Sequence, residues 1–173
     1  MTKTFLYYAV GEAITRFLSR EGAYALAKYL SPIYAGIISQ DLAAIQSNLR
    51  QALPKSTDEN ELKKTAKRVI ENYAYYLIDL FYTGKLTQDF IQANVEIQGL
   101  AYLDDALLKN HGVILASAHV GHWEMGGMTL SKIGYPIHAI AIKHQDPRIE
   151  EIFEKRRRQN DLRIIHLGIS IRE

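Results

Sequence analysis

The chain has 173 residues, 47% of them hydrophobic and 23% charged, with a formal net charge of +2 and no cysteine. Such a composition suits a folded domain with a sizeable core and not a disordered chain. It excludes disulfides and thiolate metal sites, and its weak net charge does not call for nucleic acid.

The first half is helical in pattern. Phe5, Leu6, Ala9, Val10, Ala13, Ile14, Phe17 and Leu18 recur at helical spacing, with Glu12, Arg16 and Arg20 off that stripe. Turned inward the stripe is ordinary core; turned outward, with Lys3, Arg16 and Arg20 at its edge, it suits a helix lying on a membrane surface. Tyr29 to Gln40 is uncharged but interrupted by Ser31, Pro32 and Gly36. It falls short of the roughly 18 apolar residues a spanning helix needs. The first residues also lack the basic start and small-residue cleavage site of a secretory signal. A second helical pattern runs through Leu42, Ile45, Leu49 and Leu53 and stops at Pro54. Thr57 or Asp58 is placed to cap the next helix, whose apolar side carries Leu62, Ala66, Val69, Ile70, Tyr73, Leu77, Ile78 and Phe81 before Gly84. The tyrosines at 73, 75, 76 and 82 belong with helix packing on this reading.

From about residue 94 the period changes. Val95-Glu96-Ile97 alternates like a short strand, and Leu100 to Lys109 reads as a helix. Val113 to Ala118 is a short apolar run, the pattern of a strand buried on both faces. A helix is predicted from Trp123 to Ile133, a strand over Pro136 to Ile142, a helix over Pro147 to Gln159 and a strand over Arg163 to Leu167. The alternation implies an α/β fold: a helical amino-terminal region (1–93) followed by a mainly parallel sheet flanked by helices (94–173), in a single domain. Gly168 to Glu173 reads as a helix cut off in its first turn, so the sheet is expected to be incomplete at the carboxyl end and the chain to be part of something longer.

Chemistry concentrates in Ser117-Ala118-His119-Val120-Gly121-His122-Trp123-Glu124, between the predicted buried strand and the following helix. Ligands of open α/β sheets bind outside the carboxyl ends of strands. A histidine there meets a carboxylate about one helical turn on. Glu124 is expected to hold one ring nitrogen of His119 and leave the other to take a proton from a hydroxyl. With no serine or cysteine beside it, the pair suits direct activation of an acceptor alcohol. Gly121 allows close backbone approach of a ligand, and the helix start offers amide donors to an oxyanion. His119, His122 and Glu124 also admit a metal-dependent hydrolase reading, though the spacing matches no familiar zinc motif. Lys155-Arg156-Arg157-Arg158 reads as a solvated helix face, with Glu151–Lys155 and Glu154–Arg158 spaced for pairing.

His119-x-x-x-x-Glu124, in the form His-x-Gly-His-Trp-Glu, resembles the signature of the glycerolipid-type acyltransferases, and most of all the branch of the lipid A lauroyl and myristoyl acyltransferases. His122 stands where that family more often has Asn. Asn48-Leu49-Arg50 before Pro54, Asn72, Lys143 with Asp146-Pro147 (Asp replacing Asn), and Arg157 ahead of Ile164-Ile165 and Gly168 are similar to the family's outlying elements. The resemblance implies transfer of a fatty acyl chain from an acyl-carrier-protein or coenzyme A thioester to a hydroxyl of a membrane glycolipid or lysophospholipid. It implies His119 and Glu124 as the catalytic pair, and Gly121, Trp123, Lys143 and Arg157 as substrate contacts. It implies no metal or redox cofactor, no nucleic-acid partner, and a peripheral place on the cytoplasmic face of the bacterial inner membrane. The non-enzyme alternative is a truncated, inactive lipid-binding module.

Overall fold

The computed structural model describes residues 3–37 and 39–168, and the side chains among them apart from those of residues 3–4, 32–41 and 85. The chain gathers into two compact units, Met1–Tyr82 and Thr83–Glu173.

The first unit is helical. It comprises α1 (Lys3–Phe17), α2 (Arg20–Ile37), α3 (Ser39–Ala52) and α4 (Glu59–Tyr82). α4 is the central element and packs against the other three. Its inward positions Leu62, Ala66 and Ile70 fall four apart and are all buried, as are Leu80 and Phe81 nearer its end. Asp58 caps α4 as expected: the amides of Asn60 and Glu61 both donate to its Oδ1 at 2.8 Å. Gly11 is where α1 comes close, because a Cβ there would stand 2.7 Å from the Phe81 ring. The continuous helix α2 was not anticipated, since Ser31, Pro32 and Gly36 read as interruptions. Its start is set by Ser19, whose Oγ accepts from the Gly22 amide at 3.1 Å.

The stripe on α1 is divided. Ile14 is half-buried, whereas Leu6, Val10 and Phe17 are exposed, Phe17 at 86%. The tyrosines of α4 pack on helices, as predicted. Tyr73 bonds Tyr8 and stacks with Tyr76, Tyr75 lies against Tyr24, and the Tyr82 hydroxyl donates to the Leu18 carbonyl.

The second unit holds a 3-10 turn (Thr83–Lys85), α5 (Gln88–Asn94), α6 (Leu100–Leu107), α7 (Trp123–Lys132), β1 (His138–Ala141), α8 (Pro147–Gln159) and β2 (Arg163–His166). β1 and β2 pair in parallel, from His138 opposite Arg163 to Ala141 opposite His166, with α8 as the crossover. Asp146 caps α8, accepting from the Arg148 amide at 3.1 Å, and Pro147 supplies the preset first helical residue. The core is formed by Leu86, Ile91, Met128, Ile149, Phe153 and Leu162. Asn160 is buried among them with its amide nitrogen satisfied by the Thr83 and Arg156 carbonyls at 3.2 and 2.8 Å.

The helical amino-terminal region and the partial parallel sheet thus agree with the predicted α/β class. Two predicted strands do not form among the described residues. Val95–Ile97 joins no sheet, and neither does Val113–Ala118, where Ile114 is 96% and Leu115 52% exposed. An apolar run has strand propensity, but a strand exists only when a neighbour supplies its ladder. The described sheet ends at β1 and β2.

Candidate active site

The motif sits on the approach to α7 and in its first turn. His122 caps the helix: the Met125 amide donates to its Nδ1 at 3.0 Å, so that nitrogen carries no proton. Glu124 follows in the first turn, where the helix dipole favours a carboxylate. Its side chain turns inward and is only 9% exposed. There Arg157 of α8 grips it with both arms, Nη2 to Oε1 at 2.5 Å and Nε to Oε2 at 3.1 Å. Arg157 is 6% exposed, and its guanidinium also lies over the Phe153 ring at 5.5 Å. The fork-to-carboxylate geometry is the strong form of an ion pair. It ties the first turn of α7 to the last turn of α8.

His119 is placed differently. Its φ of +52° lies in the left-handed region, which histidine visits more readily than most residues, and Gly121 follows at +69°. The two reversals carry the chain into α7. The His119 amide donates to Ser117 Oγ at 3.3 Å, while its ring is exposed and tilted against Trp123, with centroids 4.8 Å apart. The motif is therefore split between two faces. Glu124 faces the interior and Arg157; His119 faces outward and Trp123; no hydrogen bond joins His119 to Glu124.

Of the expected substrate contacts, Gly121, Trp123 and Lys143 are exposed, Lys143 on the segment between β1 and α8. Space around Gly121 is open, so its glycine serves the backbone turn and not a tight contact. Arg157, expected to meet the acyl donor, is the partner of Glu124. The basic run is not a uniformly solvated face: Lys155 and Arg158 are exposed, but Arg156 and Arg157 are buried. Glu154–Arg158 pairs at 3.3 Å as spaced, whereas Glu151 and Lys155 form no ion pair among the described residues. Nor do His119, His122 and Glu124 converge as metal ligands: the Nδ1 of His122 serves the helix cap and both oxygens of Glu124 serve Arg157.

The Glu124–Arg157 pairing escaped the sequence reading, because residues 33 apart on separate helices share no periodic signal. The available hint was Phe153, one turn before Arg157, whose apolar ring implies that this side of α8 faces inward. An open groove of about 380 Å3 also runs along α7, lined by Val95, Ile97, Met125, Gly126 and Leu130, with His122 among its walls.

The family model described as bacterial lipid A biosynthesis acyltransferase matches residues 1–173, the whole chain. The chain belongs to that family. Among curated proteins and among solved structures, nothing matches it. The resemblance read from the residues around His119 and Glu124 is borne out at the level of the family. The protein is an acyltransferase of lipid A biosynthesis, a class whose reaction joins an acyl group to a lipid.

Proposed function

We propose that this acyltransferase moves a fatty acyl chain from an acyl-carrier-protein or coenzyme A thioester to a hydroxyl of a membrane glycolipid, with His119 as general base. The observation that carries the reading is the disposition of the motif: an exposed imidazole at the entry to α7, one turn from a carboxylate locked in place by Arg157. A carboxylate has about four lone-pair positions, so Glu124 can keep Arg157 and still accept from His119 when that ring turns inward. Turned so, His119 takes the acceptor proton as the alcohol oxygen attacks the thioester carbonyl. The imidazolium then returns the proton to the departing thiolate. Amides at the start of α7 are suited to the oxyanion, and the groove along α7 is suited to the acyl chain, being walled by Val95, Ile97, Met125 and Leu130.

No described helix is long and apolar enough to cross a membrane. The outward Leu6, Val10 and Phe17 of α1, beside the exposed Arg16, support a peripheral contact with an anionic membrane surface. The cytoplasmic face is where acyl-carrier-protein and coenzyme A thioesters are available.

The test is thiol release from long-chain acyl thioesters with bacterial glycolipid present. Release that requires the acceptor and falls by about 10²-fold or more in His119→Ala supports the base assignment. Undiminished turnover in that variant sinks it. Saturable lipid binding with no turnover in either chain would favour the binding-module reading.

A further inference from the structure

Apart from the motif, one other group of titratable side chains converges in the second unit. Glu150 and Glu154 stand one turn apart on α8, and His166 ends β2 beside them. One ligand atom from each lies within 4.8 Å of the others, and among the described residues no other group of histidine and carboxylate atoms does so. The amide of His144 donates to Glu150 Oε2 at 2.7 Å, and the His144 ring packs on Phe153 at 4.5 Å.

A second observation points to a missing occupant. Glu150 is 8% exposed, yet its Oε1 has no hydrogen-bond partner and is turned toward His166 Nδ1, which has none either. The two atoms stand 4.0 Å apart, too far for a hydrogen bond. Buried polar atoms left this way are costly unless something sits between them. On the other side of the ring, Nε2 is 3.3 Å from Glu154 Oε1.

We propose that Glu150, Glu154 and His166 form a site for a divalent transition-metal ion that ties α8 to β2. One imidazole and two carboxylates form a donor set suited to zinc and its neighbours, whereas calcium and magnesium favour oxygen alone. A four-coordinate ion with bonds of about 2.0–2.2 Å holds its ligands roughly 3.5 Å apart, so an ion on Nδ1 needs Glu150 Oε1, now 4.0 Å from that nitrogen, to close in slightly and Glu154 to leave Nε2 for the same side of the ring. Glu154, whose side chain is 32% exposed, has the freedom to make that move. The ion is structural, departing from the expectation of no metal, and water completes its shell.

The probe is zinc chloride titrated by calorimetry into the chelator-stripped full chain, with thermal melts alongside. The expected result is one saturable equivalent and a melting temperature that rises with zinc concentration. Glu154→Gln and His166→Asn should each weaken binding by at least about tenfold, while His119→Ala leaves it unchanged. Should His166→Asn fail to fold, Glu154→Gln decides the matter from its partly exposed position. Absence of saturable binding, binding that survives in Glu154→Gln, or binding lost in His119→Ala would each overturn the proposal. None of these outcomes touches the acyl-transfer reading, which is tested separately by acceptor-dependent thiol release.

Discussion

At the scale of single residues, the burial of Glu124 matters as much as its spacing from His119. A carboxylate at 9% exposure is stable only while Arg157 neutralises it, and the pair has little net value beyond that mutual dependence. Arg157→Ala should therefore cost about 3–5 kcal/mol in a denaturant melt, because it strands a buried charge. Glu124→Ala strands the guanidinium and should cost a similar amount, so its loss of activity needs a stability measurement beside it. His119→Ala differs in kind. The ring is exposed and lies against Trp123, so the variant's melting temperature should match the parent's within a degree or two while turnover collapses. An equal loss of stability in His119→Ala and Arg157→Ala would contradict the two-faced placement of the motif.

At the scale of elements, local signals were legible where the chain makes its own structure. The bounds of α8 were readable to the residue, because Asp146-Pro147 is both cap and first turn and Asn160 ends the pattern. α7, β1 and β2 lay within one or two residues of their predicted bounds. What failed was whatever depended on a partner elsewhere. The apolar run of Val113–Ala118 carries the composition of a buried strand, but nothing in its own residues supplies a neighbour. The fate of Arg156 and Arg157 likewise turned on which side of α8 meets α7, which charge spacing cannot reveal. Hydrogen exchange separates the two kinds of element: the amides of 113–118 should exchange at nearly unprotected rates, and those bonded between β1 and β2 much more slowly. Strong protection at Leu115 would mean that the segment pairs after all.

At the scale of the whole molecule, the chain has two units, each with its own core. The first carries a polar knot: Arg20 Nε donates to Asp79 Oδ1 at 2.7 Å, the Tyr24 hydroxyl donates to Asp79 Oδ2 at 2.6 Å, and Arg20 also donates to that hydroxyl at 2.8 Å. Burial, then the bond to Asp79, pushes the Tyr24 hydroxyl up to about 12. The Tyr75 hydroxyl is likewise raised to about 12, chiefly by its bond to Glu71. Because both folded values lie above the ordinary value of about 10, their contribution to stability is intact below pH 10 and fades as pH rises from 10 through 12. An alkaline absorbance titration should show tyrosines ionising late, and Tyr24→Phe together with Tyr75→Phe should shrink that late phase, leaving the part due to Tyr82 and Tyr135, which are also raised. The exposed face of α1 adds a prediction for the membrane: Phe17→Ser with Val10→Ser should weaken sedimentation with anionic vesicles several-fold without changing the melt, whereas unchanged sedimentation would remove α1 from the contact.

The Glu124–Arg157 pair also bears on the order in which the second unit assembles. Parallel strands cannot close until the whole crossover between them has formed. Glu124, 33 residues ahead of its partner, must stay hydrated until α8 arrives. The first turn of α7 is thus held back from docking while Arg157 is missing, and the burial of Glu124 and the closure of β1 on β2 become one late event in folding. A chain still emerging from the ribosome would keep Glu124 in water until the last turn of α8 is free. The Glu124–Arg157 pair therefore cannot precede the crossover that carries it.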